Sequence, residues 1–151
     1  MSSNTSCSSC AASSAATAAT PVPWSAEFLA KYDTIVFDCD GVIWRGSHFL
    51  PGMAETLTHL ASLGKTVLYC SNNSTKSRQD YVDKFAAQNV PVQPSHVYSS
   101  ASTIASLLLA TDGFDAARDK VYVIGFTGLK QELRESGIQI IDADDVVRAR
   151  Y

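Results

Sequence analysis

The chain has 151 residues, 46% of them hydrophobic and 18% charged, with 12 Lys and Arg against 15 Asp and Glu for a net charge of −3. That length predicts one domain, or one with part of another, and the apolar share is enough for a buried core. The mild acidity argues against a general nucleic-acid binder. No apolar run approaches the roughly 18 residues of a membrane helix, so neither nucleic acid nor membrane is an expected partner.

Residues 1–20 are almost entirely Ser, Ala, Thr, Asn and Cys, and residues 1–23 read as a disordered tail that cannot bury enough apolar surface to offset its ordering entropy. Cys7 and Cys10 form a Cys-x-x-Cys there without further ligands nearby, and read as incidental thiols. The start lacks the apolar stretch of a secretory signal and has no Arg or Lys before Lys31, so no secretory or mitochondrial leader is expected. Cys39 and Cys70 complete the set of four cysteines and are expected as free thiols at strand ends in apolar surroundings. With no disulfide framework, a reducing, cytoplasmic location is expected.

Order is expected from Pro21-Val22-Pro23-Trp24 onward. Thr34–Phe37 is β-branched and apolar and predicts a strand. Pro51–Gly64 predicts a helix with Met53, Leu57, Leu60 and Leu63 on one face and Gly64 as its cap. Thr66–Cys70 predicts a second strand, and Ser74 or Thr75 is expected to cap a helix carrying Tyr81, Val82 and Phe85. After Pro91 and Pro94, His96–Ser99 predicts a third strand. Ser100 then opens a helix with Ile104, Leu107 and Leu108 on its apolar face, ending near Gly113. Val121–Ile124 is a predicted strand, Phe126–Ser136 a predicted helix closed by Gly137, and Ile138–Ile141 a fifth predicted strand. This alternation predicts an α/β fold, Rossmann-like, with a mainly parallel sheet whose sites lie at the carboxyl ends of strands.

Asp38 and Asp40 stand two residues apart at the end of the first strand, so extended backbone would turn both carboxylates to one side. A charged pair there calls for a metal ion or a cationic partner. Asp38 is ionised at neutral pH and can attack phosphorus without a base, giving an acyl phosphate. Asp40 can protonate the leaving oxygen and then accept a proton from water. Gly41 allows close backbone approach or positive φ. The Asp38 carboxylate and the Asp40 carbonyl together suit Mg²⁺, which keeps most of its waters. Ser71-Asn72-Asn73-Ser74 ends the second strand, where amides and the Ser71 hydroxyl can hold phosphoryl oxygens, Asn72 and Asn73 add neutral donors, and Lys76 and Arg78 add positive potential. Each cluster alone is a common turn. A calcium loop is excluded because Val42, Ile43 and Trp44 follow Asp40, and no Gly-x-Gly-x-x-Gly supports a dinucleotide site. Trp44 reads as a packing or flap residue, and His48, His59 and His96 as surface or packing residues.

These residues resemble the haloacid dehalogenase superfamily, and more narrowly its 4-nitrophenylphosphatase, phosphoglycolate phosphatase and pyridoxal phosphatase group. The resemblance rests on Asp38–Trp44, Gly46, Pro51-Gly52, Gly64-Lys65, Ser71–Arg78, Tyr81, Lys84-Phe85 and Val121–Gly125 with Leu133 and Gly137. It implies Asp38 as nucleophile, Asp40 as general acid and base, both at a Mg²⁺ site, Ser71 as the phosphate-binding hydroxyl with Asn72 beside it, and Asn73 lining the substrate loop. It also implies 24–101 as the first part of a hydrolase core and 102–151 as the remaining core helix and the start of a cap. The partner expected is a small phosphate ester of 4-nitrophenyl phosphate, phosphoglycolate or pyridoxal phosphate type, and a homodimer is expected of the longer parent. The family's third motif, a lysine, and its fourth, acidic metal ligands, are not found. The alternative expectation is therefore an incomplete fragment or a phosphate-binding or interaction module. Lys120 and Lys130 lie too early to stand for the missing lysine.

Overall fold

The computed structural model describes residues 26–142; the tail, Cys7, Cys10 and Trp24 lie outside the described residues. A short helix α1 (Ala26–Leu29) leads into strand β1 (Thr34–Asp38). A small hairpin follows, β2 (Trp44–Arg45) and β3 (His48–Phe49), then helix α2 (Met53–Ser62) and strand β4 (Thr66–Ser71). Helix α3 (Arg78–Ala86), strand β5 (Val97–Ser99) and helix α4 (Ser100–Leu109) complete the first half. Strand β6 (Lys120–Tyr122), helix α5 (Thr127–Glu135) and strand β7 (Gln139–Ile141) follow.

The architecture is α/β and its strands are mainly parallel. β4 lies between β1 and β5, with Asp38 opposite Cys70 and Ser71 opposite Ser99. The carboxyl ends of the first two strands are thereby brought side by side. The expected fourth and fifth strands do not extend this sheet. β6 and β7 pair only with each other among the described residues, Lys120 opposite Gln139 and Tyr122 opposite Ile141.

The first core lies on one face of β1–β4–β5. Alternate residues Val67 and Tyr69 point into it, where they meet Leu57 and Leu60 of α2 and Tyr81 and Phe85 of α3. Trp44 from the hairpin joins them, 5.2 Å from the Phe85 ring, and Tyr69 stands 4.3 Å from Phe85. On the opposite face Val36 is 61% and Tyr98 51% exposed. A second, smaller core gathers Ala105, Val123, Leu133 and Ile138.

Several expectations are corrected. Helix α3 is capped by Ser77 rather than by Ser74 or Thr75. The Ser77 hydroxyl accepts from Asp80 N while the Asp80 carboxylate accepts from Ser77 N, two unpaired donors satisfied at once. Helix α4 buries Ala101, Ser102 and Ala105 and leaves Ile104 and Leu107 exposed, because its close packing on α5 selects the small residues of the neighbouring face. Leu108 alone of the expected trio packs inward. Leu63 is the C-cap of α2 and is exposed, His96 belongs to a 3₁₀ turn ahead of β5, and Cys70 is exposed rather than set among apolar neighbours.

Candidate active site

β1 ends in Asp38, and Cys39 then turns the other way. Both carboxylates are exposed while Cys39 is fully buried between them, the alternation expected of continued extended backbone. Burial, followed by the charges of Asp38 and Asp40, pushes the Cys39 thiol up to about 12, so it is an inert packing group. The chain then reverses sharply. The Cys39 carbonyl accepts from the amides of Ile43 and Trp44 at 2.9 and 3.2 Å, and Gly41 sits at φ +88°, a conformation that strains residues with a Cβ. The reversal returns the Trp44 indole under Asp40, and Nε1 donates to Asp40 Oδ1 at 2.8 Å. One oxygen of Asp40 is thus engaged, and the carboxylate is held by a ring 1% exposed.

Ser71 is 4% exposed at the end of β4. Its Oγ accepts from the Tyr81 hydroxyl at 2.9 Å and from the Asn73 amide at 3.2 Å. A hydroxyl has two acceptor positions and one proton, so both acceptor positions are filled and the proton is left for an incoming oxygen. Asn73 turns its Oδ1 to the Thr75 amide and hydroxyl at 2.8 and 2.6 Å, bending the loop on itself. Asn72 is exposed, and its carbonyl accepts from Ser100 Oγ at 3.0 Å. The result is a polar loop fixed at its backbone, next to the acidic pair in the sheet.

The profile of the haloacid dehalogenase-like hydrolases matches residues 35–139. The chain belongs to that family. This haloacid dehalogenase-like hydrolase is similar to the 4-nitrophenylphosphatase of Schizosaccharomyces pombe, at 39% identity over 119 residues covering 79% of this chain and 40% of the relative. It is similar to phosphoglycolate phosphatase 2 of Arabidopsis thaliana, at 41% identity over 70% of this chain and 35% of the relative. Among solved structures it resembles the p-nitrophenyl phosphatase from Archaeoglobus fulgidus, with TM-score 0.63 and 31% identity over 74% of this chain and 41% of that one. The chain therefore spans about two fifths or less of the length of the two curated relatives and 41% of the solved chain.

Three site neighbours of this haloacid dehalogenase-like hydrolase escape a reading of the sequence by residue type. Tyr81 reads as part of an apolar helix face and Trp44 as a packing or flap residue, yet each puts one polar hydrogen on a site oxygen. Lys84 lies 3.8 Å above the Trp44 ring, donates to the Gly46 carbonyl at 2.8 Å and feels the charge of Asp40. Burial is the largest influence on it and lowers its pKa. The spacing of Lys84 and Tyr81, three apart on α3, was the available signal. Arg78 does not face the site. It is bound to Glu132. Lys130 is engaged with Asp142 at 3.1 Å.

A Mg²⁺ ion takes hard oxygen ligands, one or two of them carboxylates, and retains water. Two exposed carboxylates two residues apart at a strand end fit that demand. Among the described residues no third His, Cys, Asp or Glu joins them.

Proposed function

We propose that this chain carries the nucleophile half of a Mg²⁺-dependent phosphatase for small phosphate monoesters. The observation that supports it is the exposed Asp38 and Asp40 pair set beside a Ser71 hydroxyl whose proton is uncommitted. Ser71 Oγ–H with the Asn72 and Ser74 amides receives the phosphoryl oxygens, while the Asn73 and Thr75 amides hold the loop in shape. Asp38 attacks phosphorus, forming the carboxyl O–P bond as the ester O–P bond breaks. Asp40 gives its proton to the departing alkoxide from the oxygen that Trp44 leaves free. Asp40 then takes a proton from water, the water oxygen bonds to phosphorus as the Asp38 carboxyl O–P bond breaks, and inorganic phosphate leaves with the Asp38 carboxylate restored. Asp38 and the Asp40 carbonyl would hold Mg²⁺, which offsets the repulsion between carboxylate and phosphate when bound.

The substrates in view are those of the similar proteins, 4-nitrophenyl phosphate and phosphoglycolate. A second reading is a phosphate-binding module without turnover, favoured by the finding that among the described residues no third His, Cys, Asp or Glu joins the acidic pair to hold a metal ion. One assay separates them: hydrolysis of 4-nitrophenyl phosphate with and without Mg²⁺, beside Asp38→Asn. Metal-dependent release lost in the variant supports the phosphatase. Release that survives the variant overturns the aspartyl route. A folded chain that binds phosphate without turnover supports the module.

A further inference from the structure

The loop from Asn72 to Ser77 is gripped from the far side by a helix distant in sequence. The Gly128 amide of α5 donates to the Thr75 carbonyl at 3.2 Å. A Cβ placed on Gly128 would stand 2.5 Å from both Cα and N of Lys76, so nothing larger than glycine lets the helix lie this close. One turn further on, Glu132 is 0% exposed, and its carboxylate accepts from the Arg78 backbone amide and from Arg78 Nε, the latter at 2.8 Å. The two residues are 54 apart in the chain.

A buried carboxylate is costly to keep unless its partners are well placed. Here those partners are one backbone amide at the start of α3 and one guanidinium, and both are within a residue of Ser77, the α3 cap. The contact therefore acts on the backbone of the loop rather than on a free side chain. Thr75, Lys76 and Arg78 are held by α5, and Asn72 is held by Ser100 on the other flank.

We propose that Glu132 and Gly128 are positioning residues that set the shape of the 72–77 loop, so that its affinity for a phosphoryl group depends on α5. This rests on the reading of that loop as a phosphate cradle. Neither residue touches the ligand; both act through the backbone between Thr75 and Arg78.

The test uses the full chain, with Glu132→Gln and Gly128→Ala, and two readouts. Amide hydrogen exchange at residues 72–77 reports the grip without any ligand. Titration with inorganic phosphate, followed by amide shifts at the same residues, reports the consequence. Circular dichroism and thermal melting qualify each variant as folded; if Glu132→Gln does not fold, Gly128→Ala carries the test alone. The expected result is exchange about tenfold faster at 72–77 and phosphate binding about tenfold weaker, with the exchange of β1 and β4 unchanged. Folded variants with unaltered exchange in the loop overturn the proposal. So does faster exchange with phosphate affinity unmoved. If the unaltered chain shows no phosphate binding, the cradle reading falls, and the loop's exchange still decides whether α5 shapes it.

Discussion

The two halves of the described chain are built with different means. The β1–β4–β5 half packs four rings, Trp44, Tyr69, Tyr81 and Phe85, beneath the strand ends that carry Asp38, Asp40 and Ser71. The β6–α5–β7 half shares with α4 a thinner core of Ala105, Val123, Leu133 and Ile138, and reaches the loop after β4 through a glycine contact and an ion pair whose carboxylate is buried. Apolar packing tolerates small shifts, whereas a buried carboxylate facing one amide does not. The first half thus holds the larger core and the strand ends that carry Asp38, Asp40 and Ser71, and the second contacts the loop beside them.

The largest effect should come from emptying the aromatic core. Phe85→Ala should cost about 3–5 kcal/mol and Leu133→Ala about 2–3 kcal/mol in urea unfolding. Equal costs would mean that the second core contributes as much as the first. Alkaline titration comes next. Burial pushes Tyr69 from 10.0 up to about 12. Between those values the native chain holds a proton that the unfolded chain has lost, so the contribution is complete below about pH 10 and disappears as pH rises through about 12. Thermal melts from pH 9 to 12 should show a decline to which the buried Cys39 thiol also contributes, and Tyr69→Phe should make that decline smaller by about 2 kcal/mol. A decline unchanged in Tyr69→Phe would assign it to other groups.

How much of this was legible in the sequence follows from the same contrast. Strand β1, the acidic pair and the Ser71 cluster are local patterns, and short-range apolar alternation predicts them. The buried face of α4 was misread because Ile104 and Leu107 satisfy a helical period, while the close approach of α5 selects Ala101 and Ala105. Glu132 carries no local signal in the sequence, since its partner lies 54 residues away. Tyr81 and Trp44 were legible as core but not as donors, because one side chain serves both purposes.

Smaller effects sharpen the comparison at the site itself. Tyr81→Phe removes one donor from Ser71 and should cost about 1 kcal/mol, with phosphate binding weakened as the Ser71 hydroxyl is freed to rotate. Preserved phosphate affinity would detach Tyr81 from the site. Lys84→Met keeps the aliphatic contact with Trp44 but loses the cation and the bond to Gly46, and should cost about 0.5–1 kcal/mol. Faster amide exchange confined to 44–49 would locate that loss in the hairpin, and a change spread through β1 would contradict it.

The bond from Trp44 to Asp40 has an optical side. Indole emission responds to the charge and hydrogen bonding around the ring, and here the ring lies between a carboxylate and an ammonium. Trp44 is the one tryptophan among the described residues, and the chain has only Trp24 besides. With Trp24→Phe, the colour of its fluorescence becomes a native gauge of whatever settles on Asp40, read without a label and without turnover.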